Sequence, residues 1–190
     1  MGVKEEIEQD KIYIDSVFNE VLSRFPYLRE TDVSIVHTSL KGATMNARPV
    51  ISSSSFISGI SKYQIIVSRH VRDSGEIRVG ELSRDVLSGW FAHELGHIMD
   101  YQKKSALGMV WFGVKYLISD RFRTKAEHTA DQYAIRYGFH DEIIAAKRFL
   151  LENDLVTPAY RQKISKYYMT IDQVRWHTDN PHTLENLFVG

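Results

Sequence analysis

The region from Ser83 to Gln102 has the apolar spacing of an amphipathic helix, and it carries two histidines one helical turn apart. Ser83 is suited to the N-cap position and Asp85 to the first turn. The apolar positions that recur at helical spacing are Val86, Leu87, Trp90, Phe91, Leu95 and Ile98. We therefore expect one face of this helix to be buried.

Two histidines on this helix have the spacing of a metal site. His93 and His97 lie four residues apart, so both rings can reach one ion at the roughly 2.0–2.1 Å of a Zn–N bond. Glu94 follows the first histidine and lies to the side of that face, where it can take a proton from water at the metal. The sequence predicts two metal ligands and a general base.

An alternative is a core helix whose histidines are merely exposed or hydrogen-bonded. Gly96 counts against it, because a glycine inside a helix costs about 1 kcal/mol relative to alanine. The close approach of another backbone would explain that residue.

A third ligand is predicted on a second helix, Lys125 to Tyr137. Glu127 and Asp131 share one of its faces, and alanines at 126, 130 and 134 would let it approach the first helix closely. We expect Glu127 to bind zinc and Asp131 to accept the other N–H of a ligand histidine. His128 and Asp131 are competing ligand choices, and an exposed acidic helix face is the alternative to any site.

The other segments indicate an α+β fold. Val3 to Phe25 has helical spacing and ends before Pro26. Short β-branched runs predict a small, mostly antiparallel sheet with an exposed edge strand; they are 33–37, 43–51, 63–67 and 77–79. The Ser- and Gly-rich segment 52–61 is expected to be a mobile loop. Further helices are predicted over 107–118, 125–137 with Gly138 as the stop, 141–151 and from Thr157-Pro158 onward, and Thr170 begins a capping signature.

Composition excludes several classes of function. A chain of 190 residues predicts a single domain spanning 1–190. The absence of cysteine excludes disulfide scaffolds and thiolate zinc sites, and balanced charge, 24 basic against 24 acidic residues, predicts no nucleic-acid partner. No export or lipid-attachment signal is recognised at the N-terminus, and we expect a cytoplasmic protein.

The most apolar segment, from Ala106 to Ile118, is shorter than the roughly 20 residues that cross a bilayer. Its apolar spacing predicts a core helix, with an exposed membrane or partner surface as the alternative. The basic residues on either side are interpreted as solvated helix ends, with peripheral contact to anionic lipid as the alternative; they are Lys103, Lys104, Arg121, Arg123 and Lys125.

The motifs His93-Glu94-Leu95-Gly96-His97 and Glu127-x-x-Ala130-Asp131 make the chain resemble a gluzincin zinc metallopeptidase. It is most similar to the branch with the HtpX heat-shock protease and the CAAX prenyl endopeptidases, and in size to the soluble minigluzincins. Met45-Asn46-Ala47 and Leu82-Ser83-Arg84-Asp85 are also similar to that branch, and the resemblance covers most of residues 43–133.

The resemblance implies a zincin-like domain with His93, His97 and Glu127 as zinc ligands, Glu94 as general acid and base, and Asp131 as the residue that orients a ligand histidine. The chain has Asn180-Pro181 where the family often carries His-Pro. The group that stabilises the transition state is therefore open, and the candidates with donor side chains are His177, His182, Tyr167 and Tyr168.

These features predict a zinc-dependent endopeptidase that acts on a peptide or protein substrate held against the edge strand 43–49. A catalytically silent, zinc-stabilised module that binds peptides, membranes or partners is the alternative. A latent peptidase whose segment Leu184 to Val189 fills its own cleft lies between the two. His37, His70 and His140 are interpreted as structural or surface residues, and the sequence leaves the oligomeric state open.

Overall fold

In the computed structural model, residues 2–40, 42–74 and 77–188 are described, except for the side chains of Asn186 and Phe188. The helices are α1 (Val3–Ser23), α2 (Ser55–Ser58), α3 (Arg84–Tyr101), α4 (Ala106–Ile118), α5 (Asp120–Arg136), α6 (His140–Glu152), α7 (Pro158–Tyr167) and α8 (Ile171–Asp179). The strands are β1 (Asp32–His37), β2 (Met45–Pro49) and β3 (Lys62–Val67). The architecture is α+β, as predicted.

Several predicted helix ends are confirmed. The Ser83 hydroxyl accepts the N–H of Val86 at the start of α3. Thr170 and Gln173 form a reciprocal capping box at the start of α8. Gly138 follows α5 with a φ of 81°, a left-handed conformation that glycine adopts without a steric penalty.

The sheet is mixed, and the prediction of a mostly antiparallel sheet was wrong. Its strand order is β1-β3-β2, with β3 parallel to β1 and antiparallel to β2. The chain reverses direction between β1 and β2, and β3 then inserts between them, so β3 must run parallel to one neighbour. β2 is an edge strand, as predicted.

Two other segments differ from the prediction. Residues 77–79 do not form a strand: Arg78 makes an isolated bridge with His70, and Val79 begins a 3₁₀ turn that leads into α3. Ser55–Ser58 forms a short helix within the segment predicted to be a loop.

Helix α3 lies at the centre of the core. It packs against α1, α5, α6 and β2, and its apolar residues Leu87, Phe91, Leu95 and Ile98 are fully buried. One face of α3 therefore meets α5, and another lies beneath the edge strand β2.

The prediction that α4 is a core helix was wrong for most of its apolar residues. Only Ala106, Met109 and Phe112 are buried, whereas Leu107, Val110, Trp111, Val114 and Ile118 are exposed. Apolar spacing shows which residues share a face of a helix, but it does not show whether another element covers that face. Within the described parts of the chain, no helix is both long and apolar enough to cross a membrane.

Candidate metal site

The two histidines of α3 face the same buried space. The rings of His93 and His97 lie one turn apart, with centroids separated by 4.7 Å and planes nearly perpendicular at 88°. Both side chains are buried. Burial of two imidazoles is costly unless each meets a polar partner or a metal.

Glu127 of α5 completes a group of three. Its Oε2 atom lies 3.0 Å from His93 Nε2 and 3.3 Å from His97 Nε2. One ligand atom from each residue can be chosen so that all lie within 4.8 Å of one another. Tetrahedral zinc with bonds of about 2.0–2.1 Å separates its ligands by about 3.4 Å, so this nitrogen and oxygen set fits the ion.

A glycine allows α5 to approach α3 this closely. A Cβ atom at Gly96 would lie 2.3 Å from the carbonyl oxygen of Ala130, well inside van der Waals contact. The expectation that another backbone packs on Gly96 is confirmed. The glycine brings Glu127 within reach of both histidines.

Asp131 lies one turn after Glu127 and contacts the opposite side of the first histidine. Its Oδ1 atom is 2.8 Å from His93 Nδ1, and its Oδ2 atom accepts a 2.7 Å hydrogen bond from the buried ammonium of Lys147. The N–H of Met169 also donates to Oδ2. This arrangement turns His93 Nε2 towards Glu127, so Asp131 orients the ring and lies outside the group of three.

The charges of these buried residues support one another. Burial disfavours the charged form of His93, but hydrogen bonds from its ring to the Asp131 and Glu127 carboxylates raise its pKa to about 10 in the metal-free protein. Burial raises the pKa of Asp131, yet Lys147 and His93 outweigh it and lower that pKa to about 2. The two histidines likewise hold the pKa of Glu127 well below its usual range against the effect of burial. Both carboxylates are therefore ionised at neutral pH.

The second carboxylate oxygen of Glu127 is hydrogen-bonded to a residue of α4. The Tyr116 hydroxyl donates a hydrogen bond to Glu127 Oε1. Burial and the neighbouring Glu127 charge raise the pKa of Tyr116, so its hydroxyl stays protonated and can donate. The carboxylate is fixed on one side by this tyrosine and has its other oxygen towards the histidines.

Glu94 lies outside the group of three and faces the sheet. Its Oε2 atom accepts a 2.6 Å hydrogen bond from the backbone N–H of Ala47 in β2. Thr44 and Val50 are hydrogen-bonded to β3, and bonded pairs alternate along an antiparallel ladder, so Met45, Ala47 and Pro49 turn their backbone groups away from β3. The free edge of β2 therefore lies directly at Glu94.

Open space flanks this strand edge on two sides. A cavity of about 80 Å³ lies beside His93, Glu94 and Tyr168, with apolar walls that include Trp90 and Leu150. On the other side, a cleft of about 390 Å³ runs along β2; its other walls are formed by His97 of α3 and by residues of α4 such as Phe112 and Tyr116. An extended chain laid along β2 would pass both.

The structure brings together His93, Glu94, His97, Glu127 and Asp131, but it places the other predicted residues elsewhere. His177 contacts Thr183 and Gln132 and borders a separate cleft, and His182 is exposed. Neither lines the described cavity at His93 and Glu94. These two histidines were candidates for their donor side chains, and the sequence does not show where the end of the chain packs.

Among the four candidate donors, Tyr168 is the one at the cavity. Its ring centroid lies 5.3 Å from that of His93, whereas Tyr167 donates to Asp120. Burial raises the pKa of Tyr168 well above its usual value, so the hydroxyl remains a donor.

The C-terminal segment does not support the latency hypothesis where the structure describes it. The carbonyls of Leu184 and Leu187 accept hydrogen bonds from Arg136 and Tyr133 of α5, and Leu184 packs beside the cleft that contains His177. Val189 lies outside the described residues.

Sequence reasoning missed three groups that support the site: Lys147, Tyr116 and the N–H of Ala47. A signal existed for Lys147, because it occupies a position between Ile143 and Leu150 on the buried face of α6. A lysine within an apolar stripe indicates a buried acidic partner.

Comparison with known proteins does not assign the chain to a group. No protein-family model matches it, and no curated protein or solved structure is significantly similar to it. The site is therefore interpreted from its own geometry.

Proposed function

We propose that this protein is a zinc-dependent endopeptidase with a zincin-like site. The observation that carries the proposal is the position of Glu94. This carboxylate lies next to the His93–His97–Glu127 group without belonging to it, and it is hydrogen-bonded to the sheet edge on which a peptide can pair. A purely structural zinc site needs no such additional carboxylate.

His93, His97 and Glu127 would hold the metal. Zinc bound there supplies Lewis acidity, which lowers the pKa of water and polarises a carbonyl. The Asp131 carboxylate keeps the proton of the His93 ring on Nδ1, so that Nε2 is free to bind. Tyr116 holds Glu127 in its binding orientation.

Glu94 acts as the general base and then as the general acid. It takes a proton from the attacking water and returns it to the leaving amine. The Ala47 N–H orients the carboxylate, and Tyr168, which lines the cavity beside His93 and Glu94, is a candidate donor to the developing oxyanion.

The substrate binds as an added strand along β2. The N–H of Ala47 is already bonded to Glu94, and Pro49 has no N–H. The edge therefore offers mainly carbonyl acceptors, and we expect an extended peptide to pair through its own N–H groups.

Two measurements on the same sample test this proposal. Elemental analysis of untagged protein, reconstituted with zinc and then dialysed, should give one equivalent, and a mixture of unstructured peptides should then be cleaved in a chelator-sensitive reaction. No bound zinc would refute the metal site. One equivalent of zinc with no cleavage by the wild type would favour the silent zinc-stabilised module instead.

A further inference from the structure

Helix α4 presents a large apolar face to solvent. The exposed side chains on this face are Leu107, Val110, Trp111, Val114, Leu117 and Ile118. Trp111 is 59% exposed and Ile118 is 78% exposed. Helix α2 contacts α4 and adds Phe56 and Ile57, of which Ile57 is 90% exposed. We call these eight residues the apolar surface.

An apolar surface of this kind marks an interaction site. Single exposed apolar residues are ordinary, but a continuous group that includes a tryptophan normally meets another apolar phase. The buried side of α4 is already used by Met109 and Phe112, which pack into the core, so the exposed side is left for a partner.

The charges on and beside α4 are predominantly basic, although Lys104 is paired with Asp100. Between residues 103 and 125 the sequence has six basic residues and one acidic residue, although the chain as a whole has 24 of each. The acidic residue, Asp120, is paired with Lys166. The basic residues are Lys103, Lys104, Lys115, Arg121, Arg123 and Lys125. This segment has a net charge of +5, which is complementary to an anionic surface.

We propose that the apolar surface binds an anionic lipid bilayer, with α4 lying in the plane of the interface. An apolar helix face with a tryptophan and a basic surround is suited to the boundary between headgroups and acyl chains. A second copy of the chain fits less well, because a symmetric contact would bring Lys115 and its basic neighbours of both copies together. Charge thus distinguishes the bilayer from self-association.

The bilayer contact would place the site close to the membrane. Tyr116, on the partly buried side of α4, donates to Glu127, and the cleft along β2 is walled by α4. Binding of lipid does not require zinc or hydrolysis, so this inference is independent of the proposed function.

The test is sedimentation with vesicles of phosphatidylcholine alone and of phosphatidylcholine with phosphatidylserine. We expect binding to the anionic vesicles, and weaker binding at high salt. Trp111→Ser should lower the partition coefficient at least tenfold. The matched control is Trp176→Ser, which removes a tryptophan of similar exposure, 53%, from α8 and should leave binding unchanged.

A charge reversal tests the electrostatic part separately. Lys115→Glu should lower binding to anionic vesicles at least fivefold, since one basic residue near such a surface contributes about 1 kcal/mol. Lys4→Glu makes the same change at an exposed position of α1 and is the control, which should leave binding unchanged. Circular dichroism establishes that each variant is folded.

Three outcomes would overturn the inference. One is absence of wild-type binding to anionic vesicles, and another is equal loss of binding in Trp111→Ser and Trp176→Ser. The third is a dimer, detected by light scattering without lipid, that Trp111→Ser dissociates; this would assign the apolar surface to a second copy.

Discussion

The carboxylate of Glu94 and the backbone N–H of Ala47 are joined by a 2.6 Å hydrogen bond, which links the centre of α3 to the outward side of an edge strand. A peptide added to β2 would therefore be aligned with the group that we propose to move protons. Strand edges bind extended chains through backbone groups, so the same contact fixes the position of substrate and base together.

Glu94→Gln should lower the rate of hydrolysis about 10²–10⁴-fold and leave the metal in place. The amide oxygen can still accept the Ala47 N–H, but the side chain cannot accept a proton, and a general acid–base residue contributes about 10²–10⁴-fold to rate. Cleavage of a peptide substrate and elemental zinc should be measured together, with Glu152→Gln at the exposed end of α6 as the control. Loss of zinc in Glu94→Gln would instead make Glu94 a ligand.

Glu127 and Asp131 should differ in their effect on zinc affinity. Glu127 lies against the Nε2 atoms of both histidines, whereas of the two histidines Asp131 contacts only His93, at Nδ1. Glu127→Ala should remove most of the affinity, and Asp131→Asn should reduce it about 10–100-fold, as expected for a residue that orients a ligand. Competition with a zinc chelator measures the zinc affinity of each variant. A larger loss of affinity in Asp131→Asn than in Glu127→Ala would show that Asp131, and not Glu127, is the ligand.

The residues that form the His93–His97–Glu127 group could be predicted from the sequence, because their spacing is that of a helix. The two histidines are four residues apart, and Glu127 and Asp131 are four residues apart on a helix that carries alanines for close packing. These spacings are enough to predict which side chains meet. Ser83, Gly138 and the Thr170–Gln173 pair likewise act within a few residues and were predicted correctly.

The features that were missed depend on contacts between distant parts of the chain. Ala47 and Glu94 are 47 residues apart in the sequence. The parallel pairing of β1 with β3 follows from the order of the strands in the sheet, which the alternation of apolar and polar residues within a strand does not show. His177 and His182 were candidates because their side chains can donate, and neither lies at the cavity beside His93, since His177 borders a separate cleft. The exposure of α4 was missed because periodicity does not identify a covering element.

Lys147→Met should destabilise the protein although it replaces a charged residue with an apolar one. Asp131 would keep the His93 ring as a partner but lose the buried Lys147 ammonium, and breaking a buried ion pair costs about 3 kcal/mol or more. Lys166→Met removes a lysine from an exposed pair with Asp120 and should change stability little. Urea unfolding of metal-free protein measures both.

The double variant Lys147→Met, Asp131→Asn should be more stable than Lys147→Met alone, because the buried carboxylate that lost its ammonium partner is replaced by a neutral amide. Equal stability of these two variants would show that Lys147 contributes by packing and not by charge.

Zinc binding at pH 7.5 should release a proton. In the metal-free protein Asp131 and Glu127 raise the pKa of His93 to about 10, so its ring is protonated at that pH, whereas a metal ligand must be neutral. The raised pKa stabilises the metal-free fold most below pH 6.5, and this contribution is lost as the pH rises through about 10. A pH-indicator dye in weakly buffered solution measures the release.

The Asp131→Asn variant should release fewer protons per zinc ion bound, because the aspartate that favours the charged form of the His93 ring has been removed. Zinc uptake by the wild type without any proton release would contradict a protonated His93.

Gly96→Ala tests the packing on which the site depends. The added Cβ would lie 2.3 Å from the Ala130 carbonyl oxygen, so α3 and α5 must separate, and overpacking of this kind typically costs about 1–3 kcal/mol. Alanine is otherwise the better helix former by about 1 kcal/mol. Because Glu127 lies on the displaced helix, zinc affinity should fall together with stability.

Gly113→Ala is the matched control, since Gly113 also lies inside a helix but has nothing within 4 Å of the position where Cβ would be. There only the helix propensity acts, and the variant should be more stable than the wild type by up to about 1 kcal/mol, with unchanged zinc affinity. If urea unfolding shows a lower free energy of unfolding for Gly96→Ala and a higher one for Gly113→Ala, the loss at Gly96 comes from the contact between α3 and α5. A stabilising Gly96→Ala would mean that the helices have room to separate, and the close approach would then not be what positions Glu127.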